Sequence, residues 1–160
     1  NTYNSFEPGD SRKVNWTGSF TNVTGTYYFA HKYKVLTASP ATEYNVVLRL
    51  AELYLIRSEA RARQNKLQLA LDDLNPLRQR ANLPVFTSND QFQVIEAVEK
   101  ERRIELMCEF GHRWLDLKRM NKASSVLSPI KIGWQDTDIL FPIPQSELLL
   151  NLNLHQNDGY

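Results

Sequence analysis

The sequence predicts a mostly α-helical protein with a loop-rich first segment and short strands, and three observations carry that reading. Residues 44–81 repeat apolar side chains every three or four positions in two successive blocks, the mark of a pair of amphipathic helices. Residues 88–110 repeat the pattern in one longer block. Residues 1–43 instead crowd Tyr3, Phe6, Trp16, Phe20, Tyr27, Tyr28, Phe29 and Tyr33 among Asn, Thr, Ser and Gly, with no sustained helical period. A chain of 160 residues is long enough for one domain with a real core. Its expected parts are a loop-rich aromatic segment (1–43), a helical segment (44–121) and an extended tail with a short helix (122–160).

In the first segment, "GTYYFAHKYKVL" has the aromatic and β-branched bias of a strand. From Tyr44, "EYNVVLRLAELYLIRSEARARQ" places Val47, Leu50, Leu53, Tyr54 and Ala60 on one expected helix face. Asn65-Lys66 breaks the pattern, and Leu67, Ala70, Leu71, Leu74, Leu77 and Ala81 resume it. Two such helices joined by a few residues pack antiparallel. Pro76 removes a backbone donor inside the second, so it is expected on the wet side, with a local kink. Ser88 and Gln91 stand at capping-box spacing before a long helix, on whose surface Glu99 with Arg103 and Arg102 with Glu105 are spaced for ion pairs. Gly111 is expected to end or bend that helix, and a further helix follows from His112 to about Asn121. Pro142 and Pro144 hold an extended stretch before a short helix at Gln145 to Leu150, and "NDGY" reads as a turn.

The charges, 19 basic against 18 acidic, interleave and produce no single-sign field that would hold nucleic acid or an anionic membrane surface. No apolar run is long enough to span a bilayer, and the first residues lack the features of a signal peptide. The single Cys108, in the apolar "IELMCEF", is expected to be a buried thiol.

The densest chemistry lies in "EFGHRWLDLKR". His112 and Asp116 share a helix face, yet a zinc site needs at least three protein ligands, and His31 and His155 sit in unrelated contexts. There is no GxSxG elbow and no glycine-rich phosphate cradle. The stretch makes structural sense instead: Trp114 and Leu117 supply burial, while Arg113, Asp116 and Arg119 hold neighbouring loops and helix ends. No catalytic residue, metal or cofactor is expected. Ligand contact belongs to the aromatic-rich regions. Sugar rings present C–H faces that stack on Trp and Tyr, and Asn, Thr and Asp supply oriented hydrogen bonds. Trp16 in "VNWTGSF", Tyr28 in "GTYYF" and Trp134 in "KIGWQDTD" are the candidates, weighed against the commoner role of aromatics as core. "NWT" and "NVT" match the glycosylation sequon, which matters only in a eukaryotic secretory pathway.

Four stretches in order, "EYNVVLRLAELYLIRSEARARQ", "ALDDLNPLRQRANL", "VEKERRIELMCEFGHRWLDLKRM" and "DTDILFPIPQSELLLNLNLHQNDGY", resemble the C-terminal part of the SusD/RagB family. The likeness runs from about "FEPGD" to Tyr160. It departs from the family pattern at Leu115, at Asn151-Leu152 and at Asn157-Asp158-Gly159-Tyr160, positions that concern packing and turn rigidity. The resemblance implies a tetratricopeptide-like helix pair over residues 44–81. It implies a parent several hundred residues long, whose N-terminal part carries the lipid-bearing cysteine and lies upstream of this chain. It implies a nutrient-binding lipoprotein on the outer-membrane surface of Bacteroidetes that takes oligosaccharide and passes it to a SusC-type TonB-dependent transporter. The alternatives are oligopeptide capture by the same architecture, or a scaffold portion that docks the transporter while the ligand site lies elsewhere. The family's ligand residues vary with substrate, and none transfers by motif.

Overall fold

The structure, a computed structural model, describes residues 2–35, 37–44 and 46–160. Leu36 and Asn45, which belong to the stretches read as strand and helix start, lie outside the described residues. The chain forms two compact units, residues 1–110 and 111–160, so the division falls between Phe110 and Gly111.

The first unit opens with a 3-10 turn at Tyr3–Ser5 and a short helix α1, Ser11–Asn15, capped by the Asp10 carboxylate, which accepts from the Arg12 amide at 2.9 Å. An antiparallel hairpin follows, β1 Thr17–Asn22 and β2 Gly25–Ala30, paired from Thr17↔Ala30 to Asn22↔Gly25. The strand expected in "GTYYFAHKYKVL" is therefore present over its first six residues.

Three helices make the core: α2 Leu50–Arg63, α3 Leu67–Arg80 and α4 Gln91–Glu105. Asn65, at φ 58°, lets the chain reverse between α2 and α3. α3 buries Ala70, Leu71, Leu74 and Leu77, the face its period predicts, and Pro76 lies on the exposed side of the continuous helix. α2 corrects the sequence reading. It begins at Leu50, not near Tyr44, and it buries Ala51, Leu55, Ser58, Glu59 and Ala62. The expected face is largely open, with Val47, Leu50 and Leu53 each more than 60% exposed. The reason is that α2 is apolar on two sides, and the side bearing small residues allows α3 to come close. Ser58 marks that approach by donating to the Ala70 carbonyl at 2.7 Å. Val94 and Val98 of α4 close the cluster, with Tyr54, Leu67 and Phe86 at its margin.

The N-terminus of α4 differs from the expected capping box. Asp90 is the cap, accepting from the Gln93 amide at 3.0 Å, and Ser88 accepts from the Asp90 amide instead. Gln91 reaches back to donate to the carbonyls of Ala62 and Arg63 at the C-terminal end of α2. α4 also ends six residues before Gly111. Leu106 closes it, and Cys108 and Phe110 take positive φ values of 59° and 37°. This tight path turns Leu106, Met107 and Glu109 inward and Cys108 outward, so the thiol expected to be buried is exposed.

The expected surface pair of Arg102 with Glu105 is overturned as well, since both residues are buried. Glu101, Arg102 and Glu105 are buried, and Glu105 has no exposed surface. Glu105 receives Arg49 at 2.8 Å, Arg80 at 2.6 Å and Arg12 at 3.0 Å. Arg12 also reaches Glu101 at 2.5 Å and its own cap residue Asp10 at 2.9 Å. Glu109 receives Arg49 at 2.9 Å and Lys32 at 2.7 Å. Beside them Phe6, Ile104 and Met107 form a small apolar cluster with Trp16 against it.

The second unit comprises α5 His112–Arg119, α6 Ala123–Leu127, a 3-10 turn at Asp136–Ile139 and α7 Gln145–Leu150. The extended Phe141–Pro144 stretch and the short helix after it are as the prolines predict. The tail returns along that stretch: Gln156 exchanges two hydrogen bonds with the backbone of Ile143, Asn157 donates to the Phe141 carbonyl, and the Tyr160 hydroxyl donates to that of Leu140. Gly159, at φ 94°, passes so close to Thr137 that a Cβ there would collide with it.

Removing one partner of a buried ion pair leaves an uncompensated charge, at a cost of about 3–5 kcal/mol. Glu105→Ala is therefore expected to lower stability by about that amount in chemical denaturation. The exposed Glu96→Ala on the same helix is expected to stay within about 0.5 kcal/mol of the parent.

Candidate functional site

Two features concentrate side chains that could act chemically: the carboxylate–guanidinium cluster of the first unit, and the aromatic surfaces of both units. In the cluster, burial alone would raise the Glu105 carboxyl, but hydrogen bonds from Arg49, Arg80 and Arg12 overcome it and hold the group at about 2. Glu7 is held at about 2 chiefly by its hydrogen bonds from Arg78, which grips both carboxylate oxygens. Glu101 is shifted the other way, upward, because desolvation outweighs Arg12. Burial depresses the Lys32 ammonium despite its bond to Glu109. Perturbed acids often mark catalysis, but here each is saturated by cations and Glu101 is only 3% exposed. A cavity of about 320 Å³ does open beside Glu7, Arg78 and Lys100, with Phe86 and Gln93 in its wall. There Arg78 and Lys100 are already bonded to Glu7. Among the described residues no three of His, Cys, Asp or Glu gather as a metal-ligand set.

The aromatic surfaces are differently built. In the second unit Trp134 meets Trp114 edge to face at 6.3 Å, and Trp114 meets Phe141 likewise at 6.0 Å. The Trp134 indole N–H donates to the Ser124 hydroxyl at 3.3 Å, fixing the ring's orientation. These three rings, with Lys131, Ile132, Gly133 and Asp138, line a cavity of about 280 Å³. Asp138 is oriented by accepting from the Gln135 amide at 2.9 Å. Neither His112 nor Asp116 lines this cavity. Asp116 is buried and accepts from Arg119 Nε at 2.8 Å, and Arg113 is exposed on α5.

The three aromatic candidates thus fall in different settings. Trp134 stands in the wall of a cavity. Tyr28 is on the hairpin, stacked on Tyr3 with ring centres 3.6 Å apart, and about half exposed. Trp16 is half-buried against Phe6, Ile104 and Met107, with the Lys32 ammonium 4.1 Å from its ring centre. Trp114 and Phe141 were not among the ligand candidates. Trp114 reads as helix packing, and the one signal for Phe141 is its position in an extended stretch before Pro142.

The sequence profile of the SusD family matches residues 1–138, and the chain belongs to that family. It is 34% identical over 140 residues to the SusD-like protein P38 of Formosa agariphila, a match covering 81% of this chain and 27% of that protein. A SusD superfamily protein from Parabacteroides distasonis superposes on 99% of the chain with a TM-score of 0.77 at 25% identity, covering 41% of that structure. A structure described as a SusD-like carbohydrate binding protein from Bacteroides vulgatus matches 72% of the chain with a TM-score of 0.61 at 27% identity, covering 25% of that protein. The chain therefore spans about a quarter of the length of the curated relatives it matches.

The depressed carboxylates set the acid behaviour. A group whose folded pKa lies below its unfolded value contributes stability above the unfolded value and loses it as pH falls through the folded one. For Glu105 and Glu7 that window runs from about 4.5 down to about 2, and the raised Glu101 opposes it in part. Stability measured by urea titration is expected to decline from pH 4.5 toward 2, and Glu105→Gln is expected to flatten that decline.

Proposed function

We propose that this chain is the C-terminal portion of a non-enzymatic carbohydrate-binding protein. In this reading the 160 residues act as one domain of a longer parent, anchored by an upstream lipid at the outer-membrane surface of a Gram-negative bacterium. The parent captures oligosaccharide and delivers it to a SusC-type TonB-dependent transporter. Family membership supports the general role, as does the carbohydrate-binding description of the Bacteroides vulgatus relative. The observation that carries it to particular residues is the cavity of Trp114, Trp134 and Phe141, where ring faces and edges stand beside Lys131 and Asp138. Apolar walls with a few oriented polar groups are the usual makeup of a small-ligand site. Trp16 and Tyr28 remain proposed contacts on the first unit. Modest affinity with fast release suits a relay, since a ligand held tightly could not be handed on.

A second reading draws on a specific observation, the outward side of α2. Leu50, Leu53 and Ile56 are exposed there, and a helix apolar on both sides is normally covered on both. This favours a scaffold portion that packs against further chain or the transporter, with ligand bound elsewhere. Oligopeptide capture by the same architecture is the remaining alternative.

A glycan and peptide array probed with the full-length parent separates these readings. Trp134→Ala and Trp114→Ala are expected to weaken binding of the matching glycan about tenfold, equivalent to about 1.4 kcal/mol, with unchanged circular dichroism. Unchanged affinity in Trp16→Ala, Tyr28→Ala and Trp134→Ala alike would remove these three aromatics from the ligand site.

A further inference from the structure

The β1–β2 hairpin carries a surface that the core does not use. Its register puts Gly18, Phe20 and Asn22 opposite Phe29, Tyr27 and Gly25, and directly paired residues project to the same face. Phe20, Tyr27 and Phe29 therefore share one face, on which they are 60%, 53% and 52% exposed. The rings are held in place. Phe29 lies over Gly18, where an added Cβ would come within 2.5 Å of a ring carbon, so the glycine is what lets the ring lie across the strand. Beyond it Phe29 meets His31 edge to face at 6.1 Å. The Tyr27 hydroxyl pairs with that of Thr24 at 2.9 Å. The turn is tied by the Asn22 side chain, which accepts from the amides of Thr24 and Gly25. A fixed row of exposed rings loses little freedom when it binds, which favours recognition.

The chemistry around the rings is equally restricted. From Thr17 to Ala30 no residue is charged, and the polar groups at the turn end of the aromatic face are the Asn22 amide and the hydroxyls of Thr24 and Tyr27. Two of the flanking lysines are engaged elsewhere: Lys13 stands over the Tyr3 ring at 4.5 Å, and Lys32 over Trp16 and against Glu109. An anionic ligand would lose water here and meet no counter-charge on the strands themselves. A neutral polyhydroxylated ring, with a C–H face and hydroxyl edges, fits the aromatic row and the polar groups at its turn end.

We infer that the hairpin face formed by Phe20, Tyr27 and Phe29 is a second carbohydrate platform, selective for uncharged glycans. It rests on the carbohydrate reading above and adds a location and a ligand class to it. The test uses the full-length parent in affinity electrophoresis through laminarin, xylan and galactomannan as neutral probes, and polygalacturonate and carrageenan as anionic ones. The parent is expected to be retarded by at least one neutral probe and by neither anionic probe. The triple variant Phe20→Ser, Tyr27→Ser, Phe29→Ser is expected to bind the retarding probe at least tenfold more weakly. Hydroxyl-radical footprinting of the unaltered parent supplies a readout independent of the variant's folding, with labelling of the three rings expected to fall when the neutral probe is added. Unchanged retardation of the triple variant, with loss in Trp134→Ala, would overturn the hairpin platform and leave the carbohydrate reading standing. Retardation by the anionic probes alone would overturn the ligand class. Rings already protected in the ligand-free parent would overturn it too, since polypeptide then covers the face. No retardation by any probe would remove both readings together.

Discussion

Glu105 has no exposed surface, lies at the end of a helix whose dipole disfavours negative charge, and sits four residues from Glu101 on the same helix face, with Glu109 just beyond the helix. Taken by itself, that arrangement opposes the helix. It stands because Arg12, Arg49 and Arg80 converge on the one carboxylate from three remote parts of the chain. Two of those arginines lie 93 and 56 residues from Glu105 in sequence. The charge on α4 thereby anchors α1, the start of α2 and the end of α3 to one point. Arg49 is the cap position of α2, which explains why that helix starts at Leu50 and not earlier. Val46 to Leu48 have no such anchor and stay exposed.

The same cluster accounts for the setting of the aromatic segment. Arg12 belongs to α1, which leads directly into Trp16 and the hairpin, and Lys32 closes the hairpin's far end onto Glu109 and the Glu105 carbonyl. Both feet of the hairpin are therefore fixed to α4 through charge. Its strands are then held by their own pairing, with both faces open. An isolated two-stranded hairpin is marginal in water, so anchoring at the base is what makes an exposed row of rings sustainable. In the second unit a different device serves a similar end. Side chains of the tail, from Gln156 to Tyr160, pair with the backbone of Leu140 to Ile143 and hold the stretch that carries Phe141.

Much of the helical frame was legible from period alone. The face of α3, the exposed position of Pro76 and the short α7 all follow from local pattern and from proline's fixed geometry. The phase of α2 was not legible, because apolar residues occur on both of its sides and only contact with α3 selects the side with Ala51, Ser58 and Ala62. The ligand surfaces divide in the same way. Trp134, among glycine and polar residues, stands out as a loop aromatic. Trp114 does not, since a tryptophan at helical spacing reads as packing until Phe141 and Trp134 are seen around it.

What the sequence by itself determined about this protein is the identity of its longer helices, one of its two strands and its family, because those depend on residues near one another in the chain and on an ordered series of motifs. Only the tertiary structure decided which charges are buried and which rings are left bare. Glutamates four apart on a helix look like a solvated face from any local window. Their burial depends on arginines that local pattern cannot place, since a long flexible guanidinium commits to a partner only after the backbone has brought the two together.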